Sequence, residues 1–207
     1  MEIKRLFNIA PEFVADFYRA AFTFNGDDSD AKTYWGSGQI ISLISNRRQD
    51  YQGALYALAE EYPDFLKNAP LQAVRVLITV IDACLAKEHP VESGEIIEGS
   101  FEFCGAEARI RTDYSRIWDA GVTYHLAELL KMLDAFENYL EQLSGDPVRT
   151  GKRKEIIALI ARHNRLAVIW ERLLSCGAKY PASFGREIRE LGVKRLQRTQ
   201  RKDYMAE

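Results

Sequence analysis

DAGVTYHLAELLKMLDAFENYLEQLSGDPVRTGKRKEIIALIARHNRLAVIWERLLSC, residues 119–176, carries apolar side chains at alternating spacings of four and three. The first seam is Val122, Leu126, Leu129, Leu133, Phe136, Leu140 and Leu143; the second is Ile156, Ile160, His163, Ala167, Trp170 and Leu174. This alternation keeps one stripe on one side of an α-helix. Gly145 and Pro147 end a helix predicted over 119–143, and Gly177 and Pro181 end one predicted over 152–176. Only a short break separates the seams, so the two helices are expected to fold back as an antiparallel pair.

Upstream, residues 10–24 read as a helix with Phe13, Phe17 and Ala20 or Ala21 on one face, continued by Phe24 and stopped at Asn25-Gly26. The run QIISLI after Gly36-Ser37-Gly38 fits either a strand or a buried turn. Residues 49–68 form a helical unit with Tyr51, Leu55, Leu58 and Tyr62 on one side, and Pro63 is expected to break or restart it. Pro70 suits the first turn of the next helix, 70–88. Its polar positions Gln72, Arg75, Thr79 and Asp82 make one narrow wet stripe, so neighbours must cover it on more than one side.

Residues 89–118 change period. Phe101-Glu102-Phe103 and Ala108-Arg109-Ile110-Arg111 alternate around Gly105-Ala106, the signature of a type II′ turn. Such a turn pairs Phe103 with Ala108, Glu102 with Arg109 and Phe101 with Ile110, leaving one apolar face and one charged face. The predicted fold is therefore mainly α, layered helical hairpins with one small β-hairpin near 100–111. An N-terminal helical part (1–118) and a C-terminal part (119–207) with the helix pair and a basic tail are expected to form one continuous domain.

Composition narrows the function classes. An apolar share of 47% beside 28% charged residues is that of a globular protein. No apolar run reaches the roughly 20 residues of a membrane span, and the N-terminal residues lack a signal-peptide pattern, so a cytoplasmic location is expected. Cys84, Cys104 and Cys176 are far apart with no CxxC pair, which suits reduced, mostly buried thiols. Residues 149–207 hold 15 Lys+Arg against 6 Asp+Glu, a charge of +9, whereas residues 1–148 sum to −11. Two oppositely charged halves that attract each other explain this better than a nucleic-acid surface, because the cations are scattered rather than striped.

No cluster has the spacing of a catalytic centre. Gly145 to Gly151-Lys152 has five residues between its glycines and Arg153 after the lysine, which departs from a phosphate-binding loop, and it follows a helix. His89, His125 and His163 are widely separated. His125 with Glu128 supplies two ligands where zinc takes three or four, and His163 lies on the seam near Trp170 as a core or boundary residue. Arg47-Arg48 stand at a loop-to-helix junction, as a solvated pair or an anion or partner contact. Lys194, Arg195 and Arg198 begin a basic run with only Tyr204 near it, short of the stacking platform of a single-strand binder.

One stretch carries a family resemblance. DFYRAAFTFNGDDSDAKTYWGSGQIISLISNRRQDYQGALYALAEEYPDFLKNAPLQAVRVLITVIDAC resembles the helical region of large bacterial STAND-type ATPases, in particular antiphage sensors of the Avs kind. HNRLAVIWERLLSCGAKYPASFG is similar to their helical-repeat segments. The resemblance implies an all-helical module that holds or senses a partner, often a phage protein, while an ATPase domain switches. This chain has neither that domain's phosphate-binding loop nor its magnesium aspartate motif, and no catalytic residue carries over. The expected function is a non-enzymatic protein-interaction or scaffold module without a cofactor, its partner a protein such as an ATPase subunit or phage protein. The alternative is a nucleic-acid-binding accessory protein using the basic C-terminal third. A third, an enzyme with a carboxylate site, would need a pocket with converging carboxylates. Arg47, Arg48, Lys194, Arg195 and Arg198 are the binding candidates.

Overall fold

The first seam folds as a single helix, and the rest of the chain assembles around it in helical layers. The computed structural model describes residues 2–24, 32–35, 39–42, 46–88, 98–113, 115, 127–189 and 191. A 3-10 turn, Glu2–Leu6, precedes α1 (Pro11–Thr23), the paired strands β1 (Lys32–Trp35) and β2 (Gln39–Ser42), α2 (Asn46–Asn68) and α3 (Pro70–Glu88). The hairpin β3 (Glu98–Phe103) and β4 (Ala106–Arg111) follows, then α4 (Ala127–Ser144), α5 (Thr150–His163), α6 (Ala167–Lys179) and a π turn, Pro181–Gly185. The mainly α layered fold with an inserted hairpin is as the sequence predicts. QIIS joins a second hairpin, the strand alternative of the two it allowed.

Helices α1, α2 and α3 run out, back and out. Lys4 pairs with Glu61 and Asp64, while Tyr51 donates to the Ala21 carbonyl, so α1 and α2 are antiparallel. Gln72 meets Glu12, and Lys87 meets the Phe24 carbonyl, so α1 and α3 run the same way. The aromatics Phe7, Tyr18, Tyr62 and Phe65 fill the space between them with ring centroids 5.1–6.1 Å apart. Both phenols are satisfied: Tyr18 donates to the Leu58 carbonyl at 2.7 Å and Tyr62 to the Ala73 carbonyl at 3.0 Å. Pro63 does not break α2, contrary to expectation. The hydrogen bond it removes is offset by the flanking Tyr62, Phe65 and Leu66, all fully buried and locked in place.

α3 starts at Pro70 as predicted and packs against α1, α2, α4 and α5. Arg75 and Thr79 are exposed and Gln72 and Asp82 half-buried, which is the predicted wet stripe. A single hydrophobic cluster runs from Ile3 to Leu191 across both halves of the sequence.

The second seam corrects the prediction of one helix over 152–176. It is two helices, broken at Asn164–Leu166. Neither Gly nor Pro marks the break. The Asn164 side chain accepts the Leu166 N–H at 3.0 Å and donates to the Leu166 carbonyl at 3.1 Å. β4 adds a bond from the Arg111 N–H to the Arg165 carbonyl at 2.9 Å. The first turn of α6 is capped from far away, Ala167 N–H donating to Asp113 and Val168 N–H to the Ser115 hydroxyl. His163 therefore ends α5 and is exposed, not set on a seam beside Trp170. α4 and α6 run parallel rather than antiparallel: Arg172 pairs with Asp134 and Glu137, and Lys179 with Glu141. Val122 and Leu126 lie outside the described residues.

The hairpin turns at Cys104-Gly105, with φ of 50° and 69°, two residues in the left-handed region as a type I′ turn requires. The predicted turn at Gly105-Ala106 is thus one residue late. The register pairs Phe103 with Ala106 and Phe101 with Ala108, a two-residue slip that keeps every side chain on its expected face. It places Glu102 opposite Glu107 instead of Arg109. Trp170 fills the apolar side, edge-on to Phe101 and Phe103 at 5.4 and 5.8 Å, with its indole N–H donating to the Arg109 carbonyl at 2.9 Å.

Arg153 is buried where the glycine-flanked stretch enters α5. Its guanidinium donates to both Glu187 carboxylate oxygens at 2.8 Å and to the Leu143 carbonyl at 3.1 Å. Glu187 raises its pKa further above the ordinary arginine value. The segment before it, Pro147–Arg149, is a 3-10 turn between helices. Arg153→Ala would leave Glu187 and the Leu143 carbonyl short of donors, and a loss of about 3 kcal/mol is expected by urea denaturation. Phe136→Ala, which empties a fully buried site on α4, is expected to lose about 3–5 kcal/mol in the same assay.

Candidate interaction surface

α1 has two apolar faces and only one polar edge. Successive residues turn by about 100°, so Val14, Ala15, Tyr18 and Phe22 form one face. These four are buried against α2 and α3. Phe13, Phe17, Ala20 and Phe24 form the opposite face, with Ile9 just before the helix continuing the line. This second face stays in water: Ile9 is 78% exposed, Phe13 59%, Phe24 56% and Phe17 37%. The face singled out in sequence is thus the outer one, and the core is reached through Tyr18 and Phe22. Scattered surface apolars are ordinary, but four large ones along one side of α1 and its two ends form a hydrophobic strip.

The strip is held rigidly from behind. Tyr18 and Tyr51 tie α1 to α2 through the hydrogen bonds described above, and burial raises the pKa of both phenols. Phe24, at the C-terminal end, leans on the Tyr51 ring at 5.6 Å. Glu12, Asp16 and Arg19 border one side, with Asp16 paired to Arg19 and Glu12 accepting from Gln72. A fixed row of aromatic rings presents contact area at small entropic cost, the usual property of a binding anchor.

The sequence candidates do not converge here. Arg47 and Arg48 fall in the first turn of α2, at the predicted loop-to-helix junction, and their side chains lie outside the described residues. Lys194, Arg195 and Arg198 lie outside them as well. Further up the basic third, four cations are tied to carboxylates of the acidic part. Arg165 pairs with Asp82 and Glu98, Arg172 with Asp134 and Glu137, Lys179 with Glu141 and Arg149 with Asp146.

None of the three cysteines is in a disulfide; Cys84 and Cys176 are buried, and burial raises the Cys176 thiol pKa. Cys104, the exception among thiols expected to be mostly buried, sits exposed on the hairpin turn. Among the described residues no group of three or more His, Cys, Asp or Glu could hold a metal ion, and no helix is long and apolar enough to cross a membrane. His89 and His125 lie outside them.

The class the structure defines is a mainly α protein of packed helical layers with an exposed aromatic strip. No family model matches the chain, and no curated protein and no solved structure matches it significantly.

The signal for the strip was present in sequence as apolar residues on both sides of one helix. What was missing was which side the neighbours would cover. Phe13→Ser, at the more exposed of the two helical rings, should cost no more than about 1 kcal/mol. Phe22→Ala on the inner face should lose about 3–5 kcal/mol by the same denaturation measurement.

Proposed function

We propose that this chain is a non-enzymatic helical interaction module that docks a protein partner on the outer face of α1. The observation that carries the reading is the exposed line Ile9, Phe13, Phe17 and Phe24 on a helix anchored from behind. Its chemistry selects an amphipathic helix or apolar groove, with Lys or Arg placed to meet Glu12 and Asp16 along the polar edge. The resemblance to the helical parts of STAND-type antiphage ATPases extends the proposal to a partner that is an ATPase subunit or a phage protein, met in the bacterial cytoplasm. No cofactor enters this role. The pairing of basic-third cations with internal carboxylates favours the protein partner over the nucleic-acid alternative, since a charge held by Asp82 or Glu137 is not free for phosphate.

The test is capture of partners by the intact chain beside a Phe13→Asp/Phe17→Asp double variant whose thermal unfolding matches the parent. A protein retained by the parent as salt rises from about 0.1 to 0.5 M, and bound at least tenfold more weakly by the variant, is the expected result. Equal retention by the variant would overturn the assignment of the surface. Recovery of nucleic acid alone, lost as salt rises, would overturn the protein-partner reading itself.

A further inference from the structure

A cleft of about 410 Å³ lies where α3, the outer face of β4 and the α5–α6 junction meet. Its polar lining includes Arg109, Arg162, His163 and Arg165 beside Asp82 and Glu107. Asp82 is already engaged, one oxygen accepting from Arg111 and the other from Arg165. Glu107 faces Glu102 across the hairpin. Arg109 and Arg162 are exposed and form no ion pair with any described carboxylate. The positions of Arg162 and His163 in the last turn of α5 suit that helix's C-terminal dipole, but this does not account for Arg109 entering from β4.

We propose that this cleft binds a small phosphate ester, gripped between the Arg109 and Arg162 guanidiniums. Each guanidinium is a planar fork of donors that matches two phosphate oxygens. The backbone beneath both is tied into the fold: the Arg109 carbonyl accepts from the Trp170 indole, and just past Arg162 the Asn164 side chain closes the α5–α6 junction through two bonds to Leu166. The cleft volume falls within the range of small-molecule sites, and the accessible edge of Ile78 supplies a small apolar part of its lining.

The site is tested by amide chemical-shift titration of the intact chain with inorganic phosphate and with a nucleoside monophosphate. Arg109→Gln and Arg162→Gln are compared with Arg189→Gln, an exposed arginine outside the cleft. Saturable shifts at residues 162–166 are expected, weakened roughly tenfold by each cleft substitution and unchanged by the control. Absence of saturable shifts up to about 20 mM of either probe would overturn the proposal, as would affinity unchanged in both cleft variants. A short single-stranded oligonucleotide that displaces the nucleoside monophosphate, and is itself weakened by both cleft substitutions, would uphold the site and identify a nucleic-acid backbone as the phosphate source.

Discussion

The first turn of α6 depends on two acceptors supplied by another part of the chain. A helix start exposes N–H groups that need partners, and Leu166 at the N-cap position supplies no side-chain oxygen. Asp113 and Ser115, just beyond β4, fill that role, and the Asp113 carboxylate also opposes the positive end of the helix dipole. The same carboxylate accepts from Arg111, which reaches Asp82 on α3, which in turn accepts from Arg165 at the helix break. Hairpin, α3, α5 and α6 are thereby joined by one connected polar network. With α6 started there, Trp170 meets the hairpin's phenylalanines and Arg172 and Lys179 fall beside α4.

Much of this architecture was legible from residue spacing. α3 was readable because Pro70 marks its start and its four polar positions leave no doubt about the wet stripe. The hairpin was readable because alternation and a turn glycine coincide, and its apolar face survives the correction of the turn since a slip of two preserves side-chain direction. The break at Asn164 was not readable. An apolar helical pattern crosses it. The one local signal is Asn164, whose side chain closes the break onto Leu166, and the remaining partners, Arg111, Asp113 and Ser115, are distant in sequence. Pro63 failed in the opposite sense: a local breaker is overridden by buried neighbours on both sides. For α1, two apolar faces were visible, but periodicity cannot say which of two such faces meets the core.

Charge shows a similar division between local and distant information. The acidic and basic portions were evident by counting, and the expected attraction takes the form of specific pairs between α6 and α4 and between the α5–α6 junction and α3. Surface pairs of this kind add little stability individually. Their more definite effect is on direction, because Asp134, Glu137 and Glu141 meet partners in sequence order only when α4 and α6 run parallel. Among the cations outside this scheme, Arg109 and Arg162 both border the cleft beside the α5–α6 junction.

The distant cap on α6 also bears on the order of events when the chain folds. Helical proteins are usually quick because their contacts are local. α6 is an exception within this fold, since the bond from Ala167 to Asp113 spans 54 residues. Closing so long a loop carries an entropic cost that a local cap avoids. The Asn164 side chain marks the break locally, but the N–H groups of Ala167 and Val168 find their acceptors only with Asp113 and Ser115 in place, so the last helix is finished by a segment more than fifty residues upstream.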